Sequence, residues 1–234
     1  MKEIDVYKVL EGKNPKLARR VPRFVVDYLR RTIHEREVNE ILARFGDLEG
    51  IAFVRAALGY MNVRYHSVGM ERLNPEGRYV FASNHPFGGM DGLMLADEVA
   101  RYFGDVRVVV NDLLMYLGPL RGLFVPVNKH GRQDAGSVEA FNNAFASDVP
   151  IVTFPAGLCS RRRRGVVRDL EWKPNFVKKA AAYGRDVVPV YFNGRLSDFF
   201  YRLSNLRTVL GIKANIEMLY LCLLYTSPSP RDCS

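Results

Sequence analysis

Residues 79–93 form the stretch that most restricts how this chain can fold, and they read Tyr-Val-Phe-Ala-Ser-Asn-His-Pro-Phe-Gly-Gly-Met-Asp-Gly-Leu. The apolar start predicts a buried strand, and Pro86, which has no N–H group to donate, ends that strand. Gly88 and Gly89 then allow the backbone to bend tightly. Asp91 follows at a position where a carboxylate can cap a helix. The pattern therefore predicts a strand, a turn that contains glycine, and a helix.

The predicted turn carries a histidine and an acid, His85 and Asp91, beyond the carboxyl end of the strand. Open α/β sheets usually bind ligands at that end of their strands. A carboxylate that accepts a hydrogen bond from one imidazole nitrogen leaves the other nitrogen free to take a proton from a hydroxyl or amine. The alternative is that His85 is bonded to backbone groups and that Asp91 only caps the helix. The spacing alone leaves both interpretations open.

A second apolar strand ends in a turn at residues 149–161, which read Val-Pro-Ile-Val-Thr-Phe-Pro-Ala-Gly-Leu-Cys-Ser-Arg. Gly-Leu-Phe-Val lies at residues 122–125, between the two stretches, and Val-Val-Pro-Val follows at residues 187–190. In this order the four blocks resemble those of the glycerolipid (lysophospholipid) acyltransferase superfamily. That family carries Asn-His-x4-Asp, Gly-x-x-Phe-Val, Phe-Pro-Glu-Gly-Thr-Arg-Ser and Val-Pro-Val in these places. The resemblance is specific because four blocks agree, although each block alone is weak.

Two departures from the family pattern bear on the acceptor and on the geometry. Five residues separate His85 from Asp91, where the family has four. Ala156 stands where the family has a glutamate in a block that helps to hold an acceptor, commonly a glycerol phosphate. The form with alanine is similar to the hemolysin-like branch, which is linked to bacterial amino-acid lipids such as ornithine or glycine lipids. The resemblance thus implies a lyso-amino-acid lipid as acceptor, with a 1-acylglycerol-3-phosphate as the alternative.

The resemblance implies acyl transfer from an acyl thioester, carried by acyl carrier protein or coenzyme A, to a lyso-lipid acceptor. His85 is the implied base and Asp91 is the acid that orients it. The implied substrate-binding residues are Asn84, Gly88, Gly89, Lys129, Arg132, Gly157, Ser160 and Arg161. Backbone N–H groups near the three glycines are candidates for stabilising the oxyanion. The resemblance implies no cofactor and no metal, because the thioester is a co-substrate.

A run of four arginines, Arg161 to Arg164, follows the second turn. Four successive side chains cannot all face one site. We expect Arg161 to hold an anionic headgroup or the pantetheine phosphate, because a guanidinium pairs well with phosphate oxygens. The other arginines are expected at the rim, where they would steer an acidic acyl carrier protein. The alternative for the run is a solvated, mobile loop.

The net charge of the chain limits the kinds of partner that it can be expected to bind. The chain has 34 basic and 25 acidic residues among 234, a net charge of +9. A basic surface suits anionic lipid headgroups, acidic carrier proteins or nucleic acid, but the sequence contains no nucleic-acid-binding motif, so no nucleic-acid partner is predicted. The sequence also lacks an apolar run long enough to span a bilayer, a signal peptide and a disulfide framework. These features predict a cytoplasmic protein that is peripheral at the inner membrane surface.

The chain divides into three predicted segments. Residues 1–60 read as a helical segment whose basic face either lies on an anionic membrane or faces solvent. In residues 61–220 strands and helices alternate, which predicts the acyltransferase domain itself. The predicted fold class is therefore α/β, with a mainly parallel sheet flanked by helices and an N-terminal helical segment. Residues 221–234 are rich in serine and proline, and we interpret them as a foreign tail on a truncated chain.

Several smaller expectations complete the sequence interpretation. Alternating residues at 63–68 predict a strand, and residues 186–192 predict a further buried strand. His66 and His130 are interpreted as structural or solvated, and Cys159 as a small buried side chain. Two rival functions stay open: a peripheral membrane-binding protein without catalysis, and a thioester hydrolase. The hydrolase ranks low because the sequence has no Gly-x-Ser-x-Gly elbow.

Overall fold

A computed structural model of the chain describes residues 5, 7, 8, 11, 26, 27, 30, 35–127 and 135–209. The chain falls into two compact units. Residues 47–195 form the first, and the second is drawn from residues 1–46 and 196–234. The strands, in chain order, are β1 (Tyr79–Ser83), β2 (Arg107–Asn111), β3 (Phe124–Val127), β4 (Ile151–Thr153), β5 (Arg161–Arg163), β6 (Val166–Arg168) and β7 (Asp186–Val190).

The helices lie between and around these strands. The α-helices of the described residues are α1 (Glu35–Phe45), α2 (Gly50–Tyr60), α3 (Gly89–Phe103), α4 (Ala135–Ala146), α5 (Asn175–Ala182) and α6 (Asp198–Val209). Short 3-10 helices occur at Met70–Arg72, Asp112–Tyr116 and Gly118–Leu120. Helices α1 and α6 belong to the second unit, and the other elements belong to the first. Among the helices so described, none is long and apolar enough to cross a membrane.

A parallel sheet with the strand order β3-β2-β4-β1-β7 forms the centre of the first unit. Strand β1 is buried along its whole length and pairs with β4 on one side and with β7 on the other. Its register sets Ala82 opposite Thr153 of β4. The turns that follow these two strands therefore begin at the same edge of the sheet. This arrangement confirms the predicted α/β class with a mainly parallel sheet flanked by helices.

The core of the first unit joins the sheet to two helices. Val80 of β1 and Ile151 of β4 pack with Phe145 of α4 and Ala180 of α5, and all four are at most 2% exposed. Burying large apolar side chains stabilises a fold by about 1.5–3 kcal/mol each. The prediction of apolar strands at these positions is confirmed, because β1 and β4 are buried on both faces.

A buried arginine, Arg185, closes the opposite edge of the sheet, where the strands begin. All three nitrogens of its guanidinium donate to backbone carbonyls. Those acceptors are Ala144, Phe145, Ser147, Val149 and Tyr79. Several of them lie at the end of α4, where helix carbonyls lack intrahelical partners and carry partial negative charge. These bonds satisfy the guanidinium donors, although burial and the nearby charge of Arg78 still lower the pKa of Arg185 below its ordinary value.

Two predictions about strands are wrong. Residues 63–68 form no strand. Their alternation has another cause, because Tyr65 and Ser67 point to α3 and donate to Asp97 and Glu98. Strand β7 does exist, but most of it is exposed rather than buried. It lies at the edge of the described sheet, a position where a proline such as Pro189 is tolerated.

Several predicted segments fall outside the described residues. These are most of the basic helical segment before residue 35, the loop at residues 128–134 and everything after residue 209. The predicted boundaries at residues 60 and 220, and the interpretation of residues 221–234, therefore stay predictions. Residues 112–120, predicted to be apolar core or an acyl-chain groove, form two 3-10 helices in which Pro119 and Leu120 are buried and Tyr116 is exposed.

Candidate active site

The histidine and the acid of the first turn lie in contact. Nδ1 of His85 is 3.1 Å from Oδ2 of Asp91. The Asp91 side chain is fully buried, whereas 17% of the His85 side chain is exposed. His85 follows the end of β1, and Asp91 sits in the first turn of α3, so the strand and the helix each supply one partner. Because Nδ1 faces the carboxylate, Nε2 is the nitrogen left to exchange a proton.

The turn between the two residues wraps around the Asp91 carboxylate. Gly88 immediately precedes α3 and has a φ of 72°, which favours glycine. The N–H of Phe87 donates to Oδ2 of Asp91 at 2.8 Å, and the N–H of Gly88 also bonds this carboxylate. The left-handed glycine accommodates the fifth residue between His85 and Asp91. An acid at this position reaches back to N–H groups that the helix itself leaves unpaired.

The pair is close but not fully bonded. Among the described residues, neither Nδ1 of His85 nor Oδ1 of Asp91 has a well-aligned hydrogen-bond partner, although both atoms are buried. The 3.1 Å separation of Nδ1 and Oδ2 shows that the two groups are in contact. Burial raises the pKa of the Asp91 carboxyl above its ordinary value, against the opposing effects of His85 and the N–H groups of Phe87 and Gly88. Catalytic hydrogen bonds are often misaligned before substrate binds and tighten afterwards.

The second turn packs directly on the histidine. The ring of Phe154, which follows β4, stacks on the His85 imidazole with 4.2 Å between ring centroids and 30° between planes. The N–H of Ser160 donates to the carbonyl of His85 at 2.9 Å. Two of the four blocks that carry the family resemblance, at residues 79–93 and 149–161, therefore meet in space. The contact also limits where the imidazole ring can move.

Asn84 is predicted to bind substrate. In the structure, its side-chain amide is hydrogen-bonded to the backbone of Phe192. Its Nδ2 donates to the carbonyl of Phe192 at 3.0 Å, and its Oδ1 accepts from the N–H of the same residue at 2.6 Å. Phe192 lies just beyond β7. The paired bonds tie the ends of β1 and β7 together and hold the residue that precedes His85.

The arginine run forms a β-hairpin, and not the loop that was its alternative interpretation. Strands β5 and β6 pair antiparallel, with Arg161 opposite Arg168. Arg164 and Gly165 form the turn with φ angles of 50° and 81°, the left-handed pair that two-residue hairpins prefer. Arg161 is 6% exposed, and its Nη1 donates to the carbonyl of Cys159 at 2.8 Å. Arg163, Arg164 and Arg168 are exposed.

A cavity of about 330 Å³ lies at the base of this hairpin. Its lining residues are Arg161, Arg163, Arg168, Asp169, Leu170 and Glu171. Three guanidinium groups make it suitable for an anionic group, because guanidinium pairs with carboxylate or phosphate in two-point contacts. Two carboxylates on the same wall limit the net positive charge. The cavity adjoins the turn that carries His85 through Asp169, which accepts a hydrogen bond from the backbone N–H of His85.

The three glycines predicted to supply N–H groups differ in what those groups do. The N–H of Gly157 donates to the carbonyl of Phe154 at 2.9 Å, and that of Gly88 bonds Asp91. Gly89 is exposed and is the first residue of α3. First-turn N–H groups have no partner inside their own helix. Gly89 is therefore the glycine best suited to face a developing oxyanion. Lys129 and Arg132 lie outside the described residues.

Asp169 is a residue of the site that the sequence pattern does not indicate. The carboxylate of Asp169 accepts hydrogen bonds from His85, Ser160 and Trp172. Ser160, predicted to bind substrate, thus has its Oγ engaged with Asp169 at 2.6 Å. The available signal was an acid placed between the arginine run and Trp172. Nothing in that pattern indicated which partners the acid takes.

Comparison with known proteins agrees with the geometry. A family model described as acyltransferase matches residues 8–228. A lyso-glycine lipid O-acyltransferase of Bacteroides thetaiotaomicron is 48% identical over 219 residues, which covers 93% of this chain and 80% of the relative. A lyso-glycine lipid O-acyltransferase of Phocaeicola vulgatus is 45% identical over 219 residues, covering 93% of this chain and 78% of the relative.

Proposed function

The chain belongs to the acyltransferase family, and from this premise we propose that it transfers a fatty acyl group from an acyl thioester to the hydroxyl of a lyso-glycine lipid. The acceptor is taken from the names of the two relatives. The observation that carries the proposal is the contact of His85 with the buried Asp91 at the carboxyl end of β1. A histidine held by an acid without a neighbouring serine suits direct transfer to an acceptor hydroxyl.

In the proposed reaction, Nε2 of His85 takes the proton of the acceptor hydroxyl as its oxygen attacks the thioester carbonyl. The Asp91 carboxylate stabilises the imidazolium that forms. The C–S bond of the tetrahedral intermediate then breaks, and the leaving thiolate takes the proton back from His85. The N–H of Gly89, at the positive end of α3, is proposed to stabilise the oxyanion, and one such donor typically contributes about 10²–10³-fold in rate.

The hairpin cavity is the proposed site for the acceptor headgroup. A glycine headgroup joined to its lipid through nitrogen presents a carboxylate, which matches the planar guanidinium of Arg161. Arg161 is held rigidly, because it is buried and bonded to the Cys159 carbonyl. Rigid placement lowers the entropy lost on binding.

The donor and the location are also proposals. The exposed Arg163, Arg164 and Arg168 of the hairpin complement an acidic acyl carrier protein, which we propose as the donor. A lipid acceptor and a net charge of +9 favour work at the surface of an anionic inner membrane. Attraction between exposed charges is screened by salt, so we expect the KM for the carrier thioester to rise with ionic strength.

The test is acyl transfer by purified protein from acyl carrier thioester to lyso-glycine lipid. His85→Ala should lower the rate by about 10²–10⁴-fold, the usual contribution of a general base. His66→Ala is the matched control, because His66 is exposed on an irregular segment, and it should keep the parent rate. Equal rates for parent and His85→Ala would refute the assignment.

The same assay separates the remaining functions. Preference for 1-acylglycerol-3-phosphate over the glycine lipid would replace the proposed acceptor by the phosphate-containing one. Free fatty acid released without acceptor would indicate a thioester hydrolase. Binding to anionic vesicles without any turnover of thioester would indicate a membrane-binding protein that lacks catalysis.

A further inference from the structure

We propose that Asp169 is a positioning residue for His85, fixing the peptide from which the imidazole projects. The proposal rests on the proposed function in taking His85 as the reacting base. Asp169 stands 84 positions after His85 in the chain, in the segment that connects the β5–β6 hairpin to α5. It belongs to none of the four blocks that carry the family resemblance.

The peptide groups of His85 are held on both sides. The N–H of His85 donates to Oδ1 of Asp169 at 3.2 Å, and its carbonyl accepts from the N–H of Ser160 at 2.9 Å. Oγ of Ser160 donates to the same Oδ1 at 2.6 Å. Together these bonds form a closed ring of His85, Asp169 and Ser160. The short O–H···O⁻ distance is typical of a charge-assisted bond, about twice as strong as a neutral one.

The other oxygen of Asp169 anchors this ring to the next helix. Nε1 of Trp172 donates to Oδ2 at 2.9 Å. The Trp172 ring packs edge-to-face on Phe176 of α5, with 6.1 Å between centroids. The N–H of Lys173 donates to the carbonyl of Pro155 in the second turn at 3.2 Å. Both carboxylate oxygens of Asp169 are therefore engaged, and the segment is attached at two places.

This arrangement matters because the imidazole itself is weakly restrained. Among the described residues, Nδ1 of His85 has no well-aligned hydrogen bond, so the position of the ring depends on the backbone, on Asp91 and on stacking with Phe154. Asn84 fixes the preceding residue through Phe192. General-base catalysis needs the base within about 2.6–3.2 Å of the proton it takes. A base displaced by about 1 Å can cost about 10²-fold in rate.

The first measurement is the kinetics of Asp169→Ala. We expect kcat to fall by about 10–10²-fold, a loss of positioning rather than of the base itself. Asp169→Asn keeps an oxygen for His85 and Ser160 and lacks an acceptor for Trp172, so its kcat should fall by less than about tenfold. Asp148→Ala is the matched control, because Asp148 is 92% exposed at the opposite edge of the sheet.

A double mutant tests whether the loss of activity in Asp169→Ala is caused through His85. If Asp169 acts through His85, Asp169→Ala should cause no further loss in a His85→Ala background, because the base is already gone. Losses that multiply would overturn the proposal and indicate an independent role. Circular dichroism and thermal unfolding confirm that each variant is folded. Should Asp169→Ala not fold, Asp169→Asn replaces it in the same cycle.

A spectroscopic measurement tests the positioning without reference to acyl transfer. The ¹⁵N resonances of the His85 imidazole report its tautomer and hydrogen bonding, and they should shift in Asp169→Asn and Asp169→Ala. The resonances of the exposed His66 should not move and serve as the internal control. Unchanged His85 resonances would overturn the proposal even if the protein has no transferase activity. Shifted resonances in an inactive parent would support positioning while refuting the proposed function.

Discussion

Two aspartates of helix α3 are both shielded from solvent, yet they are bonded in opposite ways. Asp97, in the middle of the helix, accepts from Nε of Arg55 at 2.7 Å, from the hydroxyl of Tyr65 at 2.6 Å and from Nη2 of Arg101 at 3.0 Å. Asp91, in the first turn, faces His85 through one oxygen and has no hydrogen-bond partner among the described residues for the other. Both carboxylate oxygens of Asp97 accept hydrogen bonds, whereas one oxygen of Asp91 can still accept further ones.

The pKa directions follow from that difference. Burial by itself would raise the pKa of Asp97, but the hydrogen bonds from Tyr65 and Arg55 and the charges of Arg101 and Arg55 lower it below its ordinary value. Burial raises the pKa of Asp91, and its few partners do not compensate. Buried polar groups are normally bonded, and acids with perturbed pKa values cluster at functional sites, so the under-bonded Asp91 beside His85 is the aspartate that we propose takes part in chemistry. A saturated acid indicates a structural role.

The largest expected effect comes from Asp91→Asn. An amide cannot stabilise the imidazolium as a carboxylate does, so we expect acyl transfer to fall by about 10²–10⁴-fold. The unfolding free energy of Asp91→Asn relative to the parent should increase, rather than decrease, as pH rises. A raised pKa means that the folded state binds the proton more tightly than the unfolded state, so this group makes the parent less stable as pH rises from about 4.

Asparagine does not titrate, so urea unfolding at pH 4 and pH 8 measures the effect. The stability of Asp91→Asn relative to the parent should increase between those two pH values. A relative stability that decreases over the same range would contradict the assignment of Asp91 as a strained, functional acid. Asp97→Asn is the matched control on the same helix. Because the pKa of Asp97 is lowered, its pH dependence lies below about pH 4, and the stability of Asp97→Asn relative to the parent should change little between pH 4 and pH 8.

Asp97→Asn should lower the unfolding free energy without a large effect on transfer. Hydrogen bonds to charged groups contribute about 1.5–3 kcal/mol, but the side chains of Arg55 and Arg101 are 53% and 58% exposed. Solvent screening reduces the expected loss to about 1–2 kcal/mol at pH 7. Because the pKa is lowered in the folded state, the contribution is present above about pH 4 and disappears as pH falls through the folded value.

Urea unfolding at pH 7 and pH 3 checks this prediction. The deficit of Asp97→Asn should be visible at pH 7 and should shrink at pH 3. A deficit of equal size at both values would show that the carboxylate charge contributes nothing there. A fall in acyl transfer as large as that of Asp91→Asn would remove the distinction between the two aspartates.

The smallest expected effect is that of Tyr65→Phe. Only the hydroxyl that donates to Asp97 is lost, while the ring under the Arg101 guanidinium remains. We expect a loss of about 1 kcal/mol in unfolding free energy, measured by urea unfolding at pH 7. In an Asp97→Asn background the same change should cost less, because its partner has lost its charge. Full additivity would contradict a direct interaction between the two side chains.

The sequence predicted correctly the secondary-structure elements that are determined by residues adjacent in the chain. Strand β1, the turn at His85 and helix α3 follow from an apolar run, a proline and two glycines that are neighbours in the chain. The β5–β6 hairpin was missed because arginines have little preference for strands. Arg164-Gly165 was the available signal for its turn, since both residues adopt positive φ. The strand predicted at residues 63–68 is absent because the alternating side chains there contact helix α3 and form no ladder of backbone hydrogen bonds.

The sequence by itself determined the class of fold, the family and the identity of the histidine–acid pair, because these depend on periodicity and on motifs of a few residues. Only the tertiary structure decided that Asp169 takes the backbone of His85 as a partner and that the Asn84 amide is bonded to Phe192. Those contacts join residues 84 and 108 positions apart. They depend on the order and register of parallel strands, which no local pattern specifies.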